Sequence, residues 1–446
     1  MPDYESTPNL RRTDPEVHEL LNRQKRHESS TLKMIASENF VSSAVLEATG
    51  SIFTNKYCEG YPGARYYEGN EIVDELEELA RTRLKQLFAA EHANVQPYSG
   101  SPANMAVYRA LVKPGDKVMG MPVPEGGHLT HGWGVNFSGS DYQRVPYGVN
   151  PETGMIDYDE VREIAQRERP KLIWIGGTAY PRVFDYGRAA EIAREIDAYL
   201  VADIAHISGL IVAGVHPSPV PHCDVVSSTS HKTIRGPRGG FILSRFEDRY
   251  QSVYHPNSKF NLAKRIDRAV FPFLQGGPHM NTIAALAVAL KEATSEEFRE
   301  YGRQIVRNSR TLADELLTLG YKLVSGGTDN HMLILDFRDR SFSGKDAAVA
   351  LARAGIIANF NLVPGDPRKP AVTSGVRIGT PGVTSMGMRE PEMVLIARWI
   401  DRVCKSIGDA AVELTVSRDI AEFCAKFPIP GIREREPALL SAVERS

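Results

Sequence analysis

The sequence predicts an α/β fold in which a large domain built on a mostly parallel sheet precedes a smaller C-terminal α/β domain. Three observations predict it. From about residue 70 to residue 300, charged amphipathic stretches alternate with short apolar runs, the pattern of helices returning over buried parallel strands. One long helical pattern, SEEFREYGRQIVRNSRTLADELLTLG over residues 295–320, then leads into a second helix-strand series. The chain has 446 residues, and single cores rarely keep growing past roughly 250–300.

The elements follow in order. After a polar arm, Asp14 to His27 carries Val17, Leu20 and Leu21 at helical spacing, with Thr13-Asp14-Pro15 supplying a cap and a first-turn proline. This predicts a docking helix. EIVDELEELARTRLKQLF is an amphipathic helix, and KVMGMP, KLIWIGG, YLVADIA, DVVSS and GFILS are the predicted buried strands. Ligands in such folds sit beyond the strands' carboxyl ends. YKLVSGG and HMLILDF open the second series. The expected divisions are an arm and docking helix over 1–30, a large domain over 31–295 and a small domain over 296–446, whose charged tail REREPALLSAVERS is expected to fray.

With 53 basic and 55 acidic residues the formal charge is −2, so no global field recruits nucleic acid or an anionic membrane. Any anion site has to be built locally. Cys58, Cys223, Cys404 and Cys424 lie far apart without a CxxC pair, which argues against a zinc site and a disulfide framework; no metal is expected. The N-terminus lacks the apolar core of a signal peptide, and no apolar run reaches membrane-spanning length. A soluble, cytoplasmic protein is the expectation.

The most informative stretch is Ser227-Ser228-Thr229-Ser230-His231-Lys232-Thr233, which ends an apolar strand and runs into a glycine-rich turn. A lysine flanked by small hydroxyl residues there can be desolvated, which lowers its pKa and makes it a Schiff-base nucleophile. Most lysines beside glycine turns are solvated surface charges, so the reading needs company. Asp203 supplies some: an acid at a buried strand end wants a cationic partner, and a pyridinium nitrogen is one. An aspartate capping the next helix is the plainer alternative. Ser99-Gly100-Ser101, between a strand and a helix, offers backbone donors for a phosphate, although it could be an ordinary turn. His128 could stack on a planar ring or be a structural histidine; His206 could pack near that ring or sit satisfied in the core. Arg377 suits a carboxylate, or a surface ion pair.

These residues resemble the serine hydroxymethyltransferase family, which folds as fold-type-I pyridoxal-phosphate enzymes. The resemblance is carried in order over roughly residues 30–400 by IASENF, YCEGYPGARYY, QPYSGSPAN, GGHLTHG, VADIAHISGL, SHKTIRGPRGG, QGGP, SGGTDNH and SGVRIGTP. It implies pyridoxal 5'-phosphate as a Schiff base on Lys232, with Asp203 on the ring nitrogen, His128 stacked on the ring and Ser99, Gly100 and Ser101 on the phosphate. Thr178, where the family commonly has serine, and His206 would lie near the phenolic oxygen. Ser37 and Arg377 would bind the substrate carboxylate, Glu59 would act as acid and base, and His231 and Tyr67 would join the catalytic set. Tyr57, Glu59, Gly276 and Gly277 would reach a neighbouring subunit's site, making a homodimer, or a tetramer built from it. Val123, Gly127, Leu129 and Asn361 would bind tetrahydrofolate, and the implied reaction is one-carbon transfer between serine and glycine.

The sequence departs from the family pattern mainly around the substrate and folate. Tyr98 replaces a histidine, Pro102 a glutamine and Phe273 a glycine; Phe360 replaces a lysine between Asn359 and Asn361; Val123-Pro124-Glu125 replaces a leucine-serine-histidine type segment. GVTSMGM lacks a usual arginine, and Ser230 stands where threonine is usual. Glu125 and two lost cations would weaken attraction for a polyanionic folate tail. These changes leave open a 2-methylserine/D-alanine hydroxymethyltransferase, or a folate-independent aldolase or transaldolase. A catalytically idle scaffold or RNA-binding relative is a non-enzyme alternative, disfavoured by near-neutral charge and the intact Lys232, Asp203 and Arg377.

Overall fold

The computed structural model describes residues 7–432, and the charged tail expected to fray lies outside them. Helix α1 (Pro15–Ser29) starts where Asp14 accepts the Val17 N–H as an N-cap, as the Thr-Asp-Pro signal predicts. It buries none of its residues within its own chain, leaving Leu20 58 % exposed. A two-residue strand, β1 (Leu32–Lys33), follows, and then the long amphipathic helix α2 (Glu71–Phe88).

The large sheet is assembled from β2 (His92–Asn94), then, after helix α3 (Gly100–Leu111), β3 (Lys117–Gly120), β4 (Gln143–Pro146), β5 (Leu172–Ile175), β6 (Tyr199–Asp203), β7 (Val225–Thr229) and β8 (Gly240–Ser244). Its strand order is β2-β8-β7-β6-β5-β3-β4. Strands β3 to β7 pair in parallel, and β8 runs against both β7 and β2. All five predicted apolar runs are strands here, and β5 and β7 are buried along their whole length. Parallel strands need both faces covered, which is why these runs are continuously apolar instead of alternating. One core lies between the sheet and helices including α2 and α4 (Met280–Glu292); a second cluster, around Tyr108 and Trp174, covers the other face.

Helix α5 (Glu296–Thr318) is the long helix the sequence predicts, with Ser295 as its N-cap. Beyond it a four-stranded sheet is built from β9 (Lys322–Leu323), β10 (Met332–Asp336), β12 (Asn359–Asn361) and β13 (Gly375–Gly379) in the order β9-β10-β13-β12, with the two-residue β11 (Ile356–Ile357) standing outside it. Strand β1 pairs in parallel with β11, and Leu32, Met34 and Phe40 pack into the core of this second sheet. The stretch just after residue 31 therefore crosses from the expected large domain into the smaller one, because its apolar side chains find their buried partners there.

Candidate active site

The parallel strands end on one side of the sheet, and that side holds a cavity of about 470 Å³. It is lined by Ser37, Ser99, Gly100, Ser101, His128, Thr178, Asp203, His206, His231 and Lys232, together with His131 and Arg238. Ten of the expected site residues thus meet in one place, drawn from loops spread over nearly two hundred positions.

Lys232 follows β7 in a tight turn closed by the Ser230 N–H on Gly239 O and the Gly236 N–H on Ser230 O. Its own carbonyl accepts from Asn39 Nδ2 at 2.9 Å, and Ser385 Oγ donates to Asn39 Oδ1 at 2.7 Å. Burial pushes the Lys232 pKa down to about 8; Asp203 opposes the shift, while Arg377 and Arg238 add to it. The result is an amine partly deprotonated near neutrality, which is what a carbonyl-trapping lysine needs.

Asp203 closes β6 and is ringed by donors. Asn104 Nδ2 lies 2.9 Å and His131 Nε2 3.2 Å from Oδ2, and the Ala205 N–H donates to Oδ1 at 3.0 Å. Burial alone would raise its pKa, but His131 and Asn104 hold the carboxyl well below its usual value. His131 is in turn stacked on Trp174 at 5.2 Å between ring centres. His128 anchors Nδ1 on Thr130 Oγ1 at 2.7 Å, and burial pushes its pKa down to about 4, leaving a neutral flat ring.

Helix α3 begins at Gly100 with Ser99 as its N-cap residue, and the Ser99 hydroxyl makes no capping bond. The first-turn N–H groups thus keep their positive field for an anion. Gly100 is required by close approach: a Cβ there would lie 2.7 Å from Thr229 Cγ2. Three buried polar atoms around the cavity, Thr229 Oγ1, His206 Nε2 and His231 Nδ1, have no hydrogen-bond partner. Burial also pushes His231 down to about 3 and His206 well below the usual histidine value. A buried acid, an anion-binding helix end, a flat neutral ring and unmet polar atoms fit a phosphorylated pyridine aldehyde on Lys232. His128, His131 and Asp203 also bring ligand atoms within 4.8 Å of one another. The N–H donors converging on Asp203, however, compete for the lone pairs that an ion would need.

Arg377 comes from β13 of the second sheet. It is buried, with Nε on Asn359 Oδ1 at 3.1 Å and Nη1 on Thr178 O at 2.6 Å, and burial lowers its pKa to about 10. Its contact with Thr178, which lines the cavity, brings a guanidinium to the cavity's edge.

The remaining expected residues fall elsewhere. Tyr57, Glu59, Tyr67, Gly276 and Gly277 form a separate cluster that does not line this cavity: Tyr57 OH donates to Glu59 Oε1 at 3.2 Å, and Tyr57 meets Tyr67 edge-on. A Cβ on Gly276 would lie 3.0 Å from Glu59 Oε1. The Glu59 hydrogen bond raises the Tyr57 pKa. Tyr57 is 54 % exposed and Tyr67 48 %, so the cluster faces outward. Arg65 holds its backbone: Nη1 donates to the carbonyls on either side of Glu59, Cys58 O at 2.9 Å and Gly60 O at 3.0 Å, while Nη2 pairs with the buried Glu77 at 2.6 Å. Of the expected folate residues, Val123, Gly127, Leu129 and Asn361, none lines the cavity. Leu129 is exposed, Gly127 is packed on the Met121 backbone, and Asn361 Nδ2 donates to Leu362 O.

Three altered positions also lie off the cavity wall. Tyr98 stacks on His279 at 4.2 Å and donates to Gly277 O; Phe273 lies under the Arg109 guanidinium; Ser230 Oγ donates to Pro237 O. Sequence reasoning did not single out His131, Asn104, Asn39 or His331. Each sits inside a quoted motif, GGHLTHG, QPYSGSPAN, IASENF or SGGTDNH, and only the fold shows what each touches.

The chain matches the family model described as serine hydroxymethyltransferase over residues 10–400. It is 72 % identical over 426 residues to "Serine hydroxymethyltransferase 2" of Mesorhizobium japonicum, covering 96 % of this chain and 98 % of that protein. It is 55 % identical over 429 residues to the serine hydroxymethyltransferase of Acidothermus cellulolyticus, covering 95 % and 97 %, and 54 % identical over 424 residues to that of Sorangium cellulosum, again covering 95 % and 97 %. With the family model spanning most of the chain and relatives aligned end to end, the chain belongs to the serine hydroxymethyltransferase family.

Proposed function

We propose that this protein interconverts serine and glycine, using pyridoxal 5'-phosphate held covalently on Lys232 and tetrahydrofolate as the one-carbon carrier. The observation that carries the reading is the meeting of a desolvated amine, Lys232, with a buried carboxylate, Asp203, in one cavity bordered by the guanidinium of Arg377. Bound there, the cofactor ring supplies an electron sink for the pair released when a bond to the substrate's α carbon breaks.

This chain's residues divide the remaining work. Asp203 would hold a proton on the cofactor's ring nitrogen, and His128 would pack against the ring. Ser99, Gly100 and Ser101 would hold the phosphate at the start of α3, while Thr178 and His206 would lie toward the phenolic oxygen. Lys232, with its partly unprotonated amine, would hold the cofactor. Arg377 and Ser37 would take the α-carboxylate and so orient the substrate in the cavity. Glu59 of a neighbouring copy, supported by Tyr57 and Tyr67, moves the proton of the substrate hydroxyl, and Gly276 and Gly277 close the phosphate site from that copy. His231 packs beside Lys232.

The tetrahydrofolate surface is assigned to the loop carrying Val123, Gly127 and Leu129 and to Asn361. The large domain, 31–295 apart from the stretch after residue 31 that packs into the second core, would carry the cofactor; the small domain, 296–446, would bring Arg377; and 1–30 would be the arm that docks a second copy. A homodimer, or a tetramer of two such dimers, working in the cytoplasm is the assembly proposed. Among the described residues no helix is long and apolar enough to cross a membrane.

Two measurements test the reading. Borohydride reduction followed by peptide mass spectrometry is expected to find the cofactor on Lys232, and labelling of another lysine defeats the assignment. Turnover of serine and 2-methylserine is then compared with and without tetrahydrofolate. Folate-dependent serine cleavage is expected to dominate, because Phe273 and Ser230 make their contacts off the cavity and give no added room there for an α-methyl group. A pocket mismatch of one methylene-sized group is worth roughly 10–200-fold, so a preference for 2-methylserine would be plain to see.

A further inference from the structure

His331 is fully buried and immediately precedes β10 in the second sheet, yet its ring meets His206, which lines the cavity of the first. Its Nε2 is 3.2 Å from Nδ1 of His206, and the rings stack with 5.4 Å between centres. The far nitrogen of His206, Nε2, is buried without a partner, while the backbone of Ala36 faces the His331 ring. The His331 backbone is pinned by the Thr380 N–H on its carbonyl at 3.0 Å, just past the end of β13, the strand that carries Arg377.

Burial first, then the nearby cations Lys232 and Arg377, lower the pKa of both rings, that of His331 to about 3. Two neutral imidazoles joined by one hydrogen bond share a single proton, one nitrogen donating and the other accepting. The state of His206 Nδ1 then decides whether its Nε2, beside the cavity, carries a hydrogen or a lone pair. We propose that His331 is a positioning residue: through the Nδ1–Nε2 hydrogen bond it fixes the ring plane and the tautomer of His206, and so the hydrogen-bonding character that the second domain presents at the cofactor site.

This rests on the cofactor reading for its meaning but is tested without it. In the cofactor-free chain, the ring ¹⁵N shifts of His206, assigned by comparison with a His206→Asn variant, are expected to report one tautomer. In His331→Leu they are expected to move to the averaged positions of a mixed population. His331→Gln, whose amide reaches the Nε2 position and can donate or accept there, is expected to restore a single tautomer. His331→Asn, equally polar but too short, is expected to behave like Leu. In the loaded enzyme, Leu and Asn are expected to lower kcat about tenfold with little change in KM, the size of one lost hydrogen bond, while Gln stays within about twofold. Where His331→Leu does not fold, the Gln and Asn pair decides alone. A single, unchanged His206 tautomer in Leu or Asn overturns the proposal, and so does a folded Gln variant as impaired as Asn.

Discussion

Lys232 has to be both buried and reactive, and the surrounding charges set the balance. With burial lowering its pKa to about 8 and Asp203 pulling it upward, the amine gains nucleophilicity as pH rises through that value. In the cofactor-free chain, reductive labelling of Lys232 by a small neutral aldehyde is expected to accelerate up to about pH 8 and then level off. Asp203→Asn removes the charge that holds the ammonium form, so the midpoint is expected to fall; mass spectrometry across a pH series measures it, and an unmoved midpoint contradicts the coupling. Lys232 and Asp203 were legible in the sequence because each is an ionisable residue at the end of an apolar run, where burial demands a reason. His131 and His331 were not. A histidine two or three positions along a loop carries no periodic signal, and its partner, Asp203 or His206, lies far away in the chain.

At the scale of the element, apolar runs and helix caps predicted the long pieces well, since β5, β6, β7 and α5 are specified by continuous local patterns. The two-residue strands β1 and β11 gave no such signal, because their pairing is decided by the partner across the fold. The segment just after β1 makes a test. A Cβ on Gly379, the last residue of β13, would lie 2.4 Å from the Ala36 Cα, so Gly379→Ala has to push backbone away from backbone. The variant is expected to lose about 1–3 kcal/mol of stability, the usual cost of overpacking, seen as a lower denaturant midpoint. Serine is expected to bind less well too, because Ala36 is followed directly by Ser37 on the cavity wall. Wild-type stability would show that the segment gives way freely.

At the scale of the whole molecule, the outward-facing Tyr57–Glu59 cluster and the cavity around Lys232 belong to different surfaces of one chain. If each is completed by a second copy, inactive Lys232→Ala and Tyr57→Ala chains are expected to rescue one another. Random exchange at equal concentrations leaves one intact site in each mixed dimer, about one quarter of wild-type activity; mixed dimers that stay inactive would place each site within one chain. The pairing of Leu32 with Ile356 has a further consequence, for protein synthesis. A ribosome adds about 5–20 residues per second, so β1 waits roughly 15–65 s before its partner strand emerges. For that time the apolar side chains of Leu32, Met34 and Phe40, destined for the second core, stand without cover on the nascent chain. Residues 32–40 therefore stay open to unwanted apolar contacts until β11 arrives.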